Sequence, residues 1–198
     1  MSERHFHRRN LPHLHYNEGD YFITFRLKDS LPISEIKLLK SELENSSDDL
    51  TVKEKKLFKK YDELLDSQKF GTINVIEKNI IKIIKEIIHW HEKIYYDLIC
   101  YCIMPNHIHL VFTIISKEKS LSEIMKMIKG TSSVMINKYL NRTGSLWQAE
   151  SFDRLIRDDT EMYNIVKYVL LNPVKANLVS DWKNWEHTYC HPSYLVLD

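Results

Sequence analysis

Tyr101-Cys102-Ile103-Met104-Pro105-Asn106-His107-Ile108-His109-Leu110-Val111-Phe112 is the stretch on which the fold turns. An apolar run stops at a Met-Pro-Asn corner, and a second apolar run opens with His107-Ile108-His109. Both sides are rich in Ile, Val, Tyr and Phe, which favour strands. Strand side chains alternate between faces, so His107 and His109 point the same way while Ile108 points into a core. Two imidazoles side by side on a rigid sheet have about the geometry that a metal ion needs from two of its ligands. A hairpin whose solvent face carries two histidines would show the same pattern.

Working outward, the corner joins strands at about Tyr96–Ile103 and His107–Ile115. Upstream, Tyr21 to Leu27 alternates as a strand, with Gly19-Asp20 as the turn into it. Pro32 and Ser34 open a helix through about Asn45, with Ser34 as its N-cap. Asn45 to Asp49 breaks it, and Thr51 to Ser67 reads as a second, charged helix. From Asn74 to about His91, Ile76, Ile80, Ile83, Ile84, Ile87 and Ile88 recur at helical spacing, a stripe that belongs to a core. Downstream, Ser120 and Glu123 form a capping box for a helix through Leu140, which Asn141 to Gly144 ends. Leu146 to Leu155 reads as a short irregular strand. Asp158 or Asp159 then caps a helix through Leu171 that stops before Pro173. The order fits an α+β fold, with helices over a ferredoxin-like antiparallel sheet.

Composition bounds the function. The 198 residues are 43% hydrophobic and 28% charged, as in an ordinary globular chain, and no Gly/Ser/Pro-rich linker divides them. We therefore expect one domain over 1–198, with residues 1–18 as a possible N-terminal arm and 45–70 as a helical insertion. The longest apolar runs are too short to cross a bilayer, and the polar start does not resemble a secretory signal. Three cysteines, an odd number in a chain that needs no staples, point to reduced thiols and a cytoplasmic setting. The 28 Lys and Arg nearly balance 27 Asp and Glu, so distribution matters more than the sum. Acidic residues crowd into Glu35 to Asp66, whereas Lys119 to Lys138 and Arg4 to His15 lean basic, a pattern compatible with nucleic acid.

Tyr168 and Asn172 lie four apart in the last helix, on one face and one turn from each other. Taken alone, Tyr168 could be a core aromatic and Asn172 a helix-ending residue. The combination is more specific. His107-Ile108-His109 after Met-Pro-Asn resembles the His-hydrophobic-His (HUH) motif of single-strand DNA nucleases. Leu146 to Asp158 looks like the WQ-x-x-x-x-D-x-x-I-R block of one branch, and Tyr168-Val169-Leu170-Leu171-Asn172-Pro173-Val174-Lys175-Ala176 is similar to its Y-x-x-x-NPVKA signature. Tyr21 to Leu27 with Ser30-Leu31-Pro32 also resembles the start of that branch. It is the REP-associated tyrosine transposases, relatives of the single-tyrosine transposases of insertion sequences. The resemblance runs in order from about Leu11 to Trp185, and Asn45 to Lys69 falls outside the core that it covers.

The resemblance implies the HUH endonuclease fold with an extra helical insertion after the first strand. It implies a divalent cation held by His107, His109 and Asn172, and Tyr168 as nucleophile. Its partner would be single-stranded DNA with a hairpin, as in REP-like or insertion-end repeats. The chemistry agrees, since a cation neutralises phosphodiester oxygens as charge builds and makes a phenol more reactive. Attack by Tyr168 would leave a 5′-phosphotyrosine and a free 3′-hydroxyl. Two imidazoles and an amide suit manganese, nickel or zinc better than magnesium; the resemblance implies Mg2+ or Mn2+, and we follow it. Insertion-sequence relatives dimerise, while the REP-associated branch is expected to be monomeric, and we favour the monomer.

Other residues have softer claims. Cys100 and Cys102 with His107 and His109 would make a zinc site, but buried structural thiols fit the apolar strand better. Lys126, Lys129, Lys138 and Arg142 could track a phosphate backbone or form a solvated face. Arg154 and Lys175, in the two signature blocks, are further candidates for DNA contact. Glu150 and Asp153 could position the metal's water or the helix bearing Tyr168, or serve as surface and capping groups. Arg8 and Arg9 could form an arm entering a groove, or a disordered tail. Trp182 and Trp185 should cover the core. A catalytically silent hairpin-binding protein and a zinc hydrolase unrelated to DNA are the competing functions.

Overall fold

A computed structural model describes residues 5–6, 14–15, 18–44, 50–67 and 73–195. In chain order the elements are β1 (His5–Phe6), β2 (Leu14–His15), β3 (Gly19–Arg26), α1 (Ile33–Glu44), α2 (Leu50–Asp66) and α3 (Lys78–Trp90). They continue with β4 (Tyr96–Ile103), β5 (His107–Ile114), α4 (Leu121–Tyr139), β6 (Phe152–Ile156), α5 (Asp159–Lys175) and β7 (Thr188–Cys190). β1 and β2 form a separate two-stranded ribbon. The other five strands form one antiparallel sheet in the order β6-β3-β5-β4-β7. Its first four positions are the ferredoxin-like arrangement expected from the sequence, extended by β7 on the β4 edge.

Both faces of this sheet are covered, which is why β3, β4 and β5 are apolar along almost their whole length. Tyr21, Ile23 and Phe25 of β3 with Ile108, Leu110 and Phe112 of β5 face α3 and α4. There they meet the buried stripe Ile80, Ile84, Ile87 and Ile88 and the α4 residues Ile124, Ile128 and Ile136. Phe22 of β3, Cys100 and Cys102 of β4 and Val111 of β5 face α1, α2 and α5. A bulge between Leu98 and Cys100 shifts the alternation of β4, putting Ile99 and Cys100 on the same side.

Several boundaries differ from expectation for local reasons. Gly19 is the first residue of β3, not part of a turn before it; its φ is 132° and an added Cβ would lie 2.8 Å from the Leu155 side chain. The Glu35 N–H bonds the Pro32 carbonyl, so α1 begins at Ile33 and Ser34 sits inside the first turn without capping it. α3 starts at Lys78 with Glu77 as cap, because the Val75 N–H is held by the Pro105 carbonyl and the Asn74 side chain turns the chain at Ile76. The expected strand at 146–155 is split. Trp147 bridges Leu27 and enters the α4 face, donating its indole N–H to Ser132 (2.8 Å), and β6 forms only from Phe152.

The helix expected to stop before Pro173 runs through it to Lys175. Pro173 lies in the last turn, where its missing N–H costs one bond, and the Ala176 N–H still reaches the Asn172 carbonyl at 2.9 Å. Asn177, with φ of 56°, is the residue that turns the chain away. The Ser120–Glu123 capping box forms as expected, and Asn141 (φ 48°) ends α4. Among the described residues no helix is long and apolar enough to cross a membrane.

Candidate active site

His107 and His109 project together from β5 onto the α5 side of the sheet, both fully buried. Their Nε2 atoms are 3.1 Å apart. The Asn106 amide nitrogen donates to the Leu65 carbonyl at 2.9 Å, which turns its oxygen to the His107 Nδ1 at 2.6 Å. That oxygen can only accept, so Nδ1 carries the hydrogen and the His107 Nε2 presents a lone pair. The His109 Nδ1 lies 2.8 Å from the Thr24 hydroxyl, which can donate or accept and so supports either tautomer. Burial, followed for His107 by the neighbouring His109, pushes the imidazoles down to about 3 and about 4, so both are neutral. Neutral imidazoles oriented by outer partners are the form that binds a metal.

α5 carries Tyr168 and Asn172 to the same point. Arg154 of β6 pairs with Glu161 and ties the start of α5 to the sheet, while Asp158 caps the Glu161 N–H and the Arg157 N–H donates to Glu161 at 2.9 Å. The Tyr168 ring packs 5.6 Å from the His109 ring and 6.1 Å from Phe22. Asn172 is fully buried beside His109 and Tyr168, and neither of its amide atoms completes a hydrogen bond.

The third wall is α2. Its last turns are fastened by two buried polar anchors. Arg26 of β3 donates Nε to the Tyr61 hydroxyl at 2.9 Å, and Asn106 holds the Leu65 carbonyl. Between these anchors stands Asp62, fully buried, with Oδ1 3.4 Å from the His109 Nε2 and 4.0 Å from the His107 Nε2. Asp62 Oδ2 accepts from the Tyr168 hydroxyl and from Lys175 Nζ at 2.7 Å. Lys175 also reaches Asp66 at 3.2 Å. Asp62, His107 and His109 offer ligand atoms that all lie within 4.8 Å of one another, so this cluster could hold a metal ion.

Charges in the site are interdependent. Burial raises the Asp62 carboxyl, but the Lys175 ammonium on its Oδ2 outweighs it and keeps the group below its ordinary range. Asp66 is pushed up to about 6 by burial and by Asp62. Burial and then the Asp62 carboxylate hold the Tyr168 phenol far above its ordinary value, so in this state it is firmly protonated. Lys175, despite partial burial, is raised by Asp62 and Asp66.

The other residues singled out in the sequence are dispersed. Cys100 and Cys102 are buried thiols pushed up by burial, Cys102 to about 12, and neither belongs to the metal-competent cluster. Asp153 is paired with Ile23 in register and so lies on the α3/α4 face, the side of the sheet away from α5. Glu150 lies near Tyr61 and Lys129, outside the histidine cluster. Lys129 is committed to the Ala149 carbonyl and Ser151 hydroxyl, and burial lowers it to about 8. Lys126 and Lys138 are exposed on α4, and Arg142 is half-buried. Arg154 and Lys175 hold partners within the fold, as described, and Arg8 and Arg9 lie outside the described residues. Trp182 and Trp185 pack on the α5 side of the core, Trp185 donating to the Ile103 carbonyl.

A ferredoxin-like sheet with a histidine pair on one strand and a tyrosine on the helix above it is the framework of a single-tyrosine HUH protein. Residues 71–171 match the family model described as IS200-like transposase, and the chain belongs to that family. The match includes His107, His109 and Tyr168; Asp62, Asn172 and Lys175 fall outside it. A Haemophilus influenzae protein described as a putative REP-associated tyrosine transposase is 26% identical over 105 residues, 48% of this chain and 60% of that relative. A solved structure of a REP-associated tyrosine transposase bound to a REP hairpin is similar with a TM-score of 0.55. That similarity covers 86% of this chain and 75% of the other at 15% identity, and it establishes a shared fold.

Proposed function

We propose that the chain is a metal-dependent, single-strand-specific DNA endonuclease and strand transferase of the REP-associated type. It recognises DNA hairpins and forms a 5′-phosphotyrosine intermediate. The observation that carries this reading is the buried convergence of His107, His109 and Asn172 with the Tyr168 hydroxyl. The orphaned amide of Asn172 and the lone pair of His107 fit a divalent cation, Mg2+ or Mn2+, held by His107, His109 and Asn172. Such a cation supplies charge neutralisation and orientation of the scissile phosphate.

The chain's own residues do the rest. The Tyr168 Oη bonds to phosphorus as the P–O3′ bond breaks, and the proton given up by the phenol ends on the departing 3′-oxygen, which leaves as a hydroxyl. The phosphotyrosine keeps the energy of the diester, so a later 3′-hydroxyl can reseal the strand. Arg154 is a positioning residue that sets the start of the tyrosine helix through Glu161. Lys126 and Lys138 supply sequence-independent phosphate contacts. Tyr168 stands against His109 of its own chain, which supports action as a monomer, and such an enzyme would work in the cytoplasm, at the nucleoid.

The test is incubation of the protein with a labelled hairpin-bearing single strand and Mn2+, followed by denaturing electrophoresis. A covalent adduct lost in Tyr168→Phe supports the proposal. Hairpin binding with no adduct would instead identify a catalytically silent DNA-binding protein.

A further inference from the structure

Helix α2 lies outside the residues that match the family model, in the segment that reads from sequence as an insertion. Its place in the fold is nevertheless fixed from both sides of Asp62, by Arg26 on Tyr61 and by Asn106 on the Leu65 carbonyl. Asn106 is also the residue that orients His107, so one amide sets both the helix and the imidazole.

Between those anchors the two oxygens of Asp62 have different surroundings. Oδ2 is satisfied by Tyr168 and Lys175. Oδ1 is buried, has no hydrogen-bond partner, and points at the paired Nε2 atoms. A carboxylate that served only as counter-ion to Lys175 would not need a second oxygen buried and bare beside the imidazole pair, because an unpartnered buried charge is strongly disfavoured. A carboxylate oxygen, two imidazole nitrogens and the orphaned Asn172 amide facing one point are a donor set for a divalent cation.

Resting on the cation site proposed above, we propose that Asp62 is a further ligand of that cation and ties it to the nucleophile. Oδ1 binds the metal together with His107 and His109, while Oδ2 holds the Tyr168 hydroxyl in place. Helix α2 is thereby part of the active site, and cation binding fastens it to β5.

The experiment is calorimetric titration of the metal-free full-length chain with Mn2+, comparing wild type, Asp62→Asn and His109→Ala. Loss of a partner that merely supports a ligand costs about 10–100-fold in metal affinity, so loss of a ligand should cost at least ~10-fold in each variant. If Asp62→Asn binds Mn2+ as tightly as wild type while His109→Ala does not, Asp62 is no ligand and this inference is overturned, with the histidine site intact. If wild type fails to bind Mn2+, or His109→Ala binds it unchanged, the cation site itself falls. Should Asp62→Asn not fold, hydrogen exchange on the wild type decides. Mn2+ should slow amide exchange across the last turns of α2, and unchanged exchange there with Mn2+ bound would overturn the proposal.

Discussion

Asn106→Ala is the most informative single perturbation, because this side chain makes two buried bonds that serve different ends. Its nitrogen holds the Leu65 carbonyl at 2.9 Å and its oxygen holds the His107 Nδ1 at 2.6 Å. Removing both leaves a buried carbonyl and a buried N–H without partners, each costing about 1–3 kcal/mol. A total of about 3 kcal/mol follows, which for a domain of this size lowers Tm by roughly 6–12 °C. His107 also loses the acceptor that fixes its tautomer, so Mn2+ affinity should fall about 10–100-fold. Asn106→Asp separates the two effects. It keeps an acceptor for His107 but sets an oxygen against the Leu65 carbonyl, so it should lose stability at least as strongly. Urea denaturation and scanning calorimetry measure the first effect, and calorimetric titration with Mn2+ the second. A melting temperature for Asn106→Ala within about 2 °C of wild type would refute the claim that this amide fastens α2.

Three further outcomes can be measured. His107→Ala and His109→Ala should abolish cleavage of a single-stranded oligonucleotide in Mn2+ yet retain hairpin binding in a gel-shift assay, because phosphate contacts elsewhere supply most affinity; unchanged cleavage by either refutes its role. Stability should fall with acid. The imidazoles are depressed to about 3 and about 4, so their contribution is full above the unfolded value of about 6.5 and is lost as pH falls towards 4. Asp66, raised to about 6, opposes this over the lower part of that window, but as one group against two; a melting temperature that rises from pH 7 to pH 5 would contradict the assignment. Ile84→Ala, in the α3 core, should cost about 3 kcal/mol by urea denaturation with no change in adduct formation by the folded protein.

Most of the framework was legible because its sequence signals are local. The apolar runs on either side of Met104-Pro105-Asn106, the isoleucine stripe of α3 and the Ser120–Glu123 box each act within a few residues. Where reading failed, hydrogen bonds that the residue type alone does not announce overrode the local rule. Pro173 stays helical because the turn after it is still bonded, and Trp147 leaves the strand path because its indole finds Ser132 across the core.

The site divides along the same line. His107 with His109, and Tyr168 with Asn172, are recognisable because spacing alone sets them on one face, and resemblance joined the two pairs. Asp62 had no such signal. In Tyr61-Asp62-Glu63-Leu64-Leu65-Asp66 it is one of several acids on a charged helix, with no periodic rule to separate it from its neighbours. Only the register of α2 against the sheet selects it, and that register is set by Arg26, 35 positions from Tyr61, and by Asn106, 41 positions from Leu65. Arg26 itself carried a clue, since a charged residue in an otherwise apolar strand requires buried partners, and finding them would have pointed to Tyr61 and so to Asp62. The segment that looked least related to the family thus supplies the carboxylate that stands between the histidines and the tyrosine.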